Sequence, residues 1–202
     1  MLYTNKETQS KRKLILSMNV TQDGYLSGPN CELDWHFNAW TTQMAECLAD
    51  ELNKADTILF GRITFNAMSA YWSNKGVDLS SPIEDRAFAQ MINSYTKLVF
   101  SKTLTHSTWN NSIMINDDPA VYIRKLKEQK GSPIMIYGSA QLVWYLIDNK
   151  LIDEFQLWVH PIKLGRGKLL FKSISPHFLE LVNTKEFRNG VVLFYYRFKQ
   201  LV

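Results

Sequence analysis

The strongest constraint on the fold is the segment Pro133–Glu154, in which one glycine joins a short apolar run to an amphipathic run. We predict a buried strand at Ile134–Tyr137, stopped by Gly138, and a helix over Ser139–Asn149 with Ser139 as its cap. Four apolar residues recur at the spacing that turns one helix face towards a sheet: Leu142, Val143, Leu146 and Ile147. Such a unit directs free N–H groups and the positive end of a helix dipole beyond the strand, where a phosphate can bind. Alternatively, Gly138 only gives the chain room to turn.

The same order of strand, glycine and helix occurs earlier in the chain. A brief buried strand is predicted at Thr57–Phe60, and Gly61-Arg62-Ile63-Thr64 then opens a helix. A third apolar strand, Lys97–Phe100, stops at Ser101-Lys102. Because ligands of open α/β sheets bind beyond the carboxyl ends of the parallel strands, we expect the three strand ends to lie side by side.

Together the three strand ends predict a site for a dinucleotide with an extra phosphate. They supply two helix N-termini, hydroxyls, an ammonium and a guanidinium that can bind phosphate through two hydrogen bonds. The GxGxxG fingerprint does not follow the first strand, and no acid stands where a ribose diol needs one. Basic residues in place of that acid favour NADP over NAD. The alternative for Arg62 and Lys102 is that each is a solvated surface charge.

The N-terminal part of the chain contains the longest predicted loop. A first strand at Lys13–Met18 leads into the loop Asn19–Asn30, with turn signals at Asp23-Gly24 and Gly28-Pro29. A loop of this length beside a core strand is either flexible or functional, and active-site lids are one common use. Apolar residues at every fourth position then predict a helix over Asn38–Asn53.

The rest of the chain continues the alternation of strands and helices and then ends in strands alone. Helices are predicted at Ser80–Asn93, with a capping box at Ser81, Pro82 and Glu84, and from Asp118-Pro119 to Gly131. The further strands are Ser112–Ile115, Phe155–His160, Phe178–Phe187 and Val191–Phe198. The last two flank Asn189-Gly190, a strong hairpin signal. The predicted fold class is α/β, a mixed and mainly parallel sheet flanked by helices, with a C-terminal antiparallel hairpin.

Length and composition fit one domain over residues 11–202, after a tail at 1–10 that is predicted to be disordered. The chain has 202 residues, of which 46% are hydrophobic. Its two cysteines lack metal-ligand spacing, which indicates reduced thiols and a cytoplasmic location. No apolar run reaches the roughly 18 residues of a membrane span, and the polar, basic start does not resemble a signal peptide.

Charge and motifs exclude several other classes of function. The net charge is +4, but the basic residues are scattered, so we expect a small-molecule partner and no nucleic acid. The four histidines share no metal-ligand spacing, and no metal is predicted. A hydrolase is not supported, because no GxSxG motif occurs.

Six segments, taken in order, resemble the dihydrofolate reductase-like family, in particular the branch that includes the reductase domain of riboflavin biosynthesis. They are ILSMNVTQDGYLSG, LDW, ILFGRITF, KLVFSKT, IMIYGSAQLVWYL and HPIKLGRGKLLF. The resemblance covers about Lys11–Phe198. It implies a mixed sheet with NADPH lying across the strand ends, and the family also suggests a homodimer.

By matched position, the resemblance implies the residues of the site. Those expected to bind the cofactor are Met18, Gly61, Arg62, Thr64, Ser101, Lys102, Gly138, Ser139 and Ala140. Those assigned to catalysis are Asn19, Asp23 and Trp35, and those assigned to the substrate are Lys163, Gly165 and Arg166. Met18 and Asn19 would approach the nicotinamide ring, and Asp23 would begin the lid loop.

One departure from the family argues against folate reduction. Folate reductases carry a carboxylate a few residues after the tryptophan that Trp35 resembles, where it pairs with the pteridine ring. Here the corresponding stretch is Asn38-Ala39-Trp40-Thr41, which has no acid. Asp34 is the nearest carboxylate, but it precedes Trp35 and is predicted to cap the coming helix.

The resemblance leaves three functional hypotheses. The first is an NADPH-dependent reductase that transfers hydride to a small heterocyclic or ribosyl-aminopyrimidine substrate, similar to 5-amino-6-(5-phosphoribosylamino)uracil reductase of riboflavin biosynthesis. In that case, cations in the loop Lys163–Lys168 would bind the substrate phosphate; alternatively, the loop is a glycine turn with incidental charge. The second hypothesis is an NADP-binding module that has lost catalysis. The third, disfavoured by the missing acid, is a true dihydrofolate reductase.

Overall fold

Strands that run in one direction dominate the computed structural model, which describes residues 11–172 and 176–199. The strands are β1 (Leu14–Thr21), β2 (Tyr25–Ser27), β3 (Thr57–Gly61), β4 (Thr96–Phe100), β5 (Ser112–Ile115), β6 (Ile134–Ile136), β7 (Glu154–His160), β8 (Lys168–Leu169), β9 (Leu179–Glu186) and β10 (Val192–Phe198). The helices are α1 (Asp34–Phe37), α2 (Thr42–Leu52), α3 (Arg62–Trp72), α4 (Ile83–Ser94), α5 (Pro119–Lys127) and α6 (Ala140–Asp148). The tail at 1–10, predicted to be disordered, lies outside the described residues.

Eight of these strands form one sheet in the order β5-β4-β3-β6-β1-β7-β10-β9. Every pair from β5 to β7 is parallel, whereas β10 runs antiparallel to both β7 and β9. The predicted mixed sheet with a closing hairpin is therefore confirmed. Strands β2 and β8 pair separately as a two-stranded ribbon.

Helices cover both faces of the sheet, which explains the continuous apolar runs of its central strands. All five residues of β3 are buried, and β6 is buried throughout. Alternate residues of β1 contribute to opposite cores, because successive side chains of a strand point to opposite faces. Leu14 packs with residues of α5 and α6, and Ile15 packs with residues of α2, α3 and α4.

The predicted loop Asn19–Asn30 is wrong over much of its length. Strand β1 continues to Thr21, because its pairing with β7 extends to the Thr21 and His160 pair. Residues Tyr25–Ser27 form β2 and pair with β8. The segment is thus held by two sets of strand contacts and is not a free lid.

Several predicted helix ends are also wrong. The helix expected over Asn38–Asn53 starts later, as α2 at Thr42, because the Thr41 hydroxyl accepts a hydrogen bond from the Met44 N–H and caps it; the short helix α1 before Asn38 was not predicted. The N-cap of α1 is Leu33, so the predicted capping role of Asp34 is wrong.

The start of α4 and the end of α5 also differ from the prediction. Pro82 is the N-cap of α4 and Ser81 donates instead to Asp78, so the predicted capping box does not form. The start of α5 is confirmed, with the Asp118 side chain accepting from the Val121 N–H, but this helix ends at Lys127 rather than near Gly131.

Two findings concern the described part of the chain as a whole. None of its helices combines the length and the hydropathy that a membrane span requires. Neither Cys31 nor Cys47 is in a disulfide; Cys31 is exposed and Cys47 is buried.

Candidate active site

Three strand ends that the sequence predicts as neighbours meet at one edge of the sheet. Strands β4, β3 and β6 are adjacent, and Gly61 at the end of β3 pairs with Phe100 at the end of β4. The Gly61 N–H donates to the Gly138 carbonyl at 2.8 Å, which joins the end of β3 to the segment after β6. The two glycine turns are therefore one structural unit.

Both turns need glycine because neighbouring atoms occupy the space of a side chain. A Cβ on Gly61 would lie 2.4 Å from Ser139 Oγ and 2.9 Å from the Ser139 nitrogen. Gly138 has φ +122°, and a Cβ there would lie 2.8 Å from Thr64 Oγ1 and 3.6 Å from Met18 Cε. The peptide bond between Gly138 and Ser139 is cis. The close approach of Gly61 to Ser139 and of Gly138 to Thr64 places the starts of α3 and α6 side by side.

A cleft of about 600 Å³ opens beside these turns. Its lining includes predicted cofactor residues from all three strand ends: Gly61, Arg62, Ser101, Lys102 and Ser139. Gly61 and Ser139 are the N-cap residues of α3 and α6. Gly61 has no side chain, and the Ser139 side chain makes no cap bond within the described structure. First-turn N–H groups of both helices thus remain available to an anion, with the Arg62 and Lys102 side chains exposed beside them.

Part of the cleft lining was not predicted as part of the site. It is formed by residues at the start of α5 and on α6: Asn116, Asp117, Asp118, Gln141 and Tyr145. The Tyr145 hydroxyl donates to Asp118, and this bond, followed by the one from the Val121 N–H, lowers the pKa of Asp118. These residues belong to a helix start and a solvent-facing helix surface, which sequence patterns do not mark as functional.

The remaining predicted cofactor residues lie around the glycine turns rather than on the cleft lining. Thr64, in the first turn of α3, contacts the Gly138 backbone position. Met18 reaches the same position from β1. Ala140 is the first residue of α6. The structure therefore gathers eight of the nine predicted cofactor residues at the carboxyl ends of β4, β3 and β6, and the ninth, Met18, reaches them from within β1.

A second group of side chains lies where β1, β7 and α1 meet. We call Asn19, Trp35, His36 and His160 the ring cluster. His160 Nε2 lies 2.9 Å from Asn19 Oδ1, and the Trp35 ring meets the His160 ring edge-on with 5.2 Å between centroids. The His36 ring is 4.9 Å from that of Trp35 and 5.9 Å from that of His160. Asn19 and Trp35, both predicted catalytic residues, are thus brought together by two histidines that the sequence analysis did not select.

The two histidines of the ring cluster are uncharged at neutral pH. His36 is 8% exposed and His160 is 1% exposed. Burial lowers the pKa of both imidazoles to about 4, and for His36 the neighbouring His160 lowers it further. The cluster therefore presents neutral hydrogen-bonding groups.

Asp23, the third predicted catalytic residue, is engaged elsewhere. Its carboxylate accepts from the Thr21 hydroxyl at 2.6 Å, the Gly165 N–H at 2.8 Å and the Leu164 N–H at 3.3 Å. Although burial opposes the effect, these hydrogen bonds lower the pKa of Asp23. Asp23 thus fastens the turn after β1 to the loop that carries the predicted substrate residues.

That loop, residues 161–167, is exposed and follows β7 directly. Gly165 has φ +68°, and a Cβ on Gly167 would lie 2.0 Å from the Ser27 carbonyl oxygen, so the loop packs closely on β2. Hydrogen bonds to Glu32 lower the pKa of its carboxyl, and the charge of Arg166 lowers it further. The Lys168 ammonium lies 2.6 Å from Cys31 Sγ. The predicted phosphate-binding cations therefore face the segment between β2 and α1, while Lys163 is solvent-exposed.

Comparison with known proteins identifies the family. Residues 12–193 match the family described as the RibD C-terminal domain. The chain belongs to this family. The uncharacterized protein YyaP of Bacillus subtilis (strain 168) is 36% identical over 187 residues, which cover 92% of this chain and 95% of YyaP. The uncharacterized protein YwjB of the same organism is 28% identical over 188 residues, covering 93% and 99% of the two chains.

Solved structures show the same fold. A putative riboflavin biosynthesis protein from Shewanella sp. PV-4 aligns with a TM-score of 0.68 at 19% identity, over 93% of this chain and 99% of that one. The deaminase and 5-amino-6-(5-phosphoribosylamino)uracil reductase of Thermotoga maritima aligns with a TM-score of 0.64 at 16% identity, over 95% of this chain and 58% of that one.

A dihydrofolate reductase from Enterococcus faecalis, complexed with NADP(H) and RAB-propyl, aligns with a TM-score of 0.58 at 15% identity, over 93% and 97% of the two chains. The RibD C-terminal chain described here thus has a dihydrofolate reductase-like, reductase-type fold. Both the predicted family and the predicted fold are confirmed.

Proposed function

We propose that the protein is an NADPH-dependent oxidoreductase that reduces a small heterocyclic or ribosyl-aminopyrimidine substrate. The observation that carries the proposal is the contact of the two glycine turns, which places two helix N-termini and two cations around one cleft. The family and the names of the structural neighbours agree with it.

The residues of the cleft fit a dinucleotide with an extra phosphate. The backbone around Gly61 and Gly138 leaves no room for side chains, and the first turns of α3 and α6 offer N–H groups suited to a pyrophosphate. Arg62 and Lys102 supply the positive charge that a third phosphate needs. Asp117 and Asp118 line the same cleft and would disfavour an anion placed against them.

The bound cofactor would supply a hydride, and the chain's own groups would place the acceptor. Strand β1 lies between the cleft and the ring cluster. Met18 on this strand reaches Gly138, and the next residue, Asn19, bonds to His160. A substrate held at the ring cluster would therefore lie beside the predicted nicotinamide position. Two buried imidazoles that are uncharged at neutral pH can orient such a substrate but are poor proton donors.

The arrangement around Trp35 favours an aminopyrimidine over a folate. Between α1 and α2 the residues Asn38–Thr41 carry no acid, and the rings that contact Trp35 are those of His36 and His160. A protonated pteridine therefore finds no carboxylate in Asn38–Thr41, and the nearest acid, Asp34, is exposed although its charge acts on His36. The proposed substrate class is the neutral ring of a ribosyl-aminopyrimidine.

The proposal is tested by separating cofactor binding from turnover. NADPH fluorescence should change on addition of the purified protein, and absorbance at the NADPH band should fall when 5-amino-6-(5-phosphoribosylamino)uracil is added. Dihydrofolate should cause a much smaller fall. Cofactor binding without oxidation by any pyrimidine would favour the alternative of an inactive NADP-binding module.

A further inference from the structure

Strand β9 forms one edge of the eight-stranded sheet, and no further strand of the described chain pairs with its outer side. It is eight residues long, contains no proline, and is exposed in its middle, where Leu181 is 53% and Val182 is 56% exposed. Such an edge can pair with another strand, because it directs a row of backbone N–H and C=O groups outward. The residues of β9 indicate which strand it fits.

The pairing with β10 determines which residues of β9 direct their backbone groups outward. The Phe187 N–H donates to the Val191 carbonyl at 2.9 Å, so Phe187 faces β10. At the other end, the Phe178 carbonyl accepts from the Lys199 N–H at 2.8 Å, so Phe178 also faces β10. Inward and outward residues alternate along an antiparallel strand. Counted from each end, the outward residues are therefore Leu179, Leu181, Thr184 and Glu186.

Val182 is the extra residue of a bulge, and it places Glu180 and Lys185 on one face of the sheet. Their partners on β10 are Arg197 and Leu193, which are separated by an even number of residues and so point to the same face. The ion pair of Glu180 with Arg197, at 2.5 Å, agrees with this assignment. In a strand without the bulge, residues at the spacing of Glu180 and Lys185 would point to opposite faces.

One antiparallel register of β9 against a second copy of itself brings all four outward residues together. Leu179 lies opposite Glu186 of the second copy, and Leu181 lies opposite Thr184, so all four form hydrogen-bonded pairs. The reverse pairs follow from two-fold symmetry. Residues opposite each other must share a face, and these four do, because their β10 partners are alternate residues: Phe198, Tyr196, Phe194 and Val192.

The same register pairs opposite charges. Glu180 lies opposite Lys185 of the second copy, and symmetry repeats the pair, so two acid–base contacts cross the interface. Arg197 on β10 already binds the Glu180 carboxylate and orients it at the edge. A lysine on an edge strand ordinarily prevents association with other strands. Here a second copy supplies the acid for Lys185, whereas a strand without an acid at this position leaves the ammonium unpaired.

We propose that β9 is the contact surface of a symmetric dimer, in which the β9 strands of two copies pair antiparallel and join their sheets into one. The partner is a second copy of this chain, because both the outward backbone groups and the charges of β9 complement themselves. Strands β1, β7 and β10 separate β9 from β6, so the cleft beside Gly138 stays open in the dimer.

The oligomeric state of the unmodified protein is the first test. Sedimentation velocity at about 100 µM, well above a micromolar dissociation constant, should give twice the 23.5 kDa mass of the chain. A monomer at this concentration would overturn the proposal and leave β9 available to a strand of another protein.

Two charge reversals and their mixture test the register. Lys185→Glu sets acids against each other at both contacts, and Glu180→Lys sets lysines against each other, so each variant alone should dimerise at least about tenfold more weakly. An equimolar mixture restores opposite charges at both contacts and should recover most of the affinity as a heterodimer. Mixing would not rescue variants that were only misfolded.

The control for the charge reversals is Lys130→Glu, at an exposed position after α5, which should leave the dimer unchanged. Dimerisation unaffected by Lys185→Glu and Glu180→Lys, or a mixture that recovers no dimer, would overturn the proposal.

Thr184→Pro tests the backbone pairing. Because the Thr184 N–H points away from β10, proline removes no bond of the β9–β10 ladder but blocks one bond from each copy across the proposed interface. The variant should be monomeric at concentrations where the unmodified protein is a dimer. A dimer that persists in folded Thr184→Pro would mean that the two copies meet at another surface. If Thr184→Pro fails to fold, the mixture of charge-reversed variants still decides.

Discussion

A single guanidinium is expected to distinguish the two nicotinamide cofactors. Arg62 is exposed at the start of α3 and lines the cleft, where it can form two hydrogen bonds to a phosphate. Arg62→Ala should weaken NADPH by about 10- to 100-fold, since a charged hydrogen-bonding contact contributes about 1.5–3 kcal/mol, and should weaken NADH much less. Fluorescence titration with each cofactor measures the difference.

The control for this prediction is another exposed arginine. Arg124→Ala, on the solvent-facing side of α5 and outside the cleft lining, should leave both affinities unchanged. An equal loss of NADPH and NADH affinity in Arg62→Ala would remove Arg62 as the residue that selects the extra phosphate.

The glycine at the turn after β6 is expected to be required for both stability and cofactor binding. In Gly138→Ala the new Cβ would meet Thr64 Oγ1 at 2.8 Å, in a backbone conformation with φ +122° that L side chains rarely adopt. The strained conformation alone costs about 1–3 kcal/mol, and the contact would also push α3 away from α6. We expect urea denaturation to show a loss of this size or larger, together with weaker NADPH binding.

Gly165→Ala is the matched comparison for Gly138→Ala. Gly165 also has a left-handed φ, +68°, but a Cβ there would meet no atom within 4 Å. Its substitution should therefore lower stability by only the conformational cost, about 1 kcal/mol, and leave NADPH affinity unchanged. Equal effects of the two substitutions would mean that contact with Thr64 does not shape the cleft.

At the residue scale, local signals predicted the two glycine turns beside the cleft but not the histidines of the ring cluster. Gly61 and Gly138 are recognisable because a glycine between a strand and a helix has a local backbone cause. The contact of Asn19 with His160 depends on the alignment of β1 with β7, more than a hundred residues apart in sequence. No spacing rule reports such a contact, so the two histidines could be found only from the folded chain.

At the element scale, Asp23 is expected to determine how firmly the loop at 161–167 is held. Its carboxylate accepts two N–H groups of that loop, from Leu164 and Gly165. Asp23→Asn keeps the shape but removes the charge that strengthens these bonds. Amide hydrogen exchange at Leu164 and Gly165 should become about tenfold faster, corresponding to the loss of about 1.4 kcal/mol.

A second acid on a turn serves as the control for Asp23→Asn. Asp78→Asn alters a carboxylate that accepts from Ser80 and Ser81, far from the loop in sequence, and should not change exchange at either amide. Unchanged exchange in Asp23→Asn would show that the charge of Asp23 does not hold the loop, leaving its packing on β2 and its bonds to Gln22 and Tyr25.

Element types followed from the sequence more reliably than element ends. The alternation of apolar strands with amphipathic helices predicted the parallel sheet, because that pattern reflects burial on both faces. The ends depend on individual side-chain bonds. Thr41 rather than Asn38 starts α2, and Pro82 rather than Ser81 precedes α4, because several nearby residues were suitable caps and only tertiary packing selects among them.

At the scale of the whole molecule, the buried histidines are expected to make the protein sensitive to acid. The pKa of His36 and of His160 is about 4 in the folded chain and 6.5 in the absence of burial. Between these pH values the unfolded chain binds more protons, so the stabilising contribution is complete above pH 6.5 and is lost as the pH falls towards 4. By pH 5 the loss should be about 2 kcal/mol for each imidazole.

Urea denaturation at pH 7.5 and pH 5.0 measures this loss, and His36→Gln should remove about half of it because glutamine does not titrate. The described carboxylates whose pKa is lowered are Asp23, Glu32, Asp78 and Asp118. Their ordinary values are 3.8 or 4.5, so most of their contribution is lost below pH 5 and they do not account for most of the change above it. Between pH 7.5 and pH 9 both imidazoles are neutral in the folded and unfolded chain, and His36→Gln should not alter the pH dependence there. A stability that falls equally between pH 7.5 and 5.0 with and without His36 would mean that folding does not lower the pKa of this imidazole.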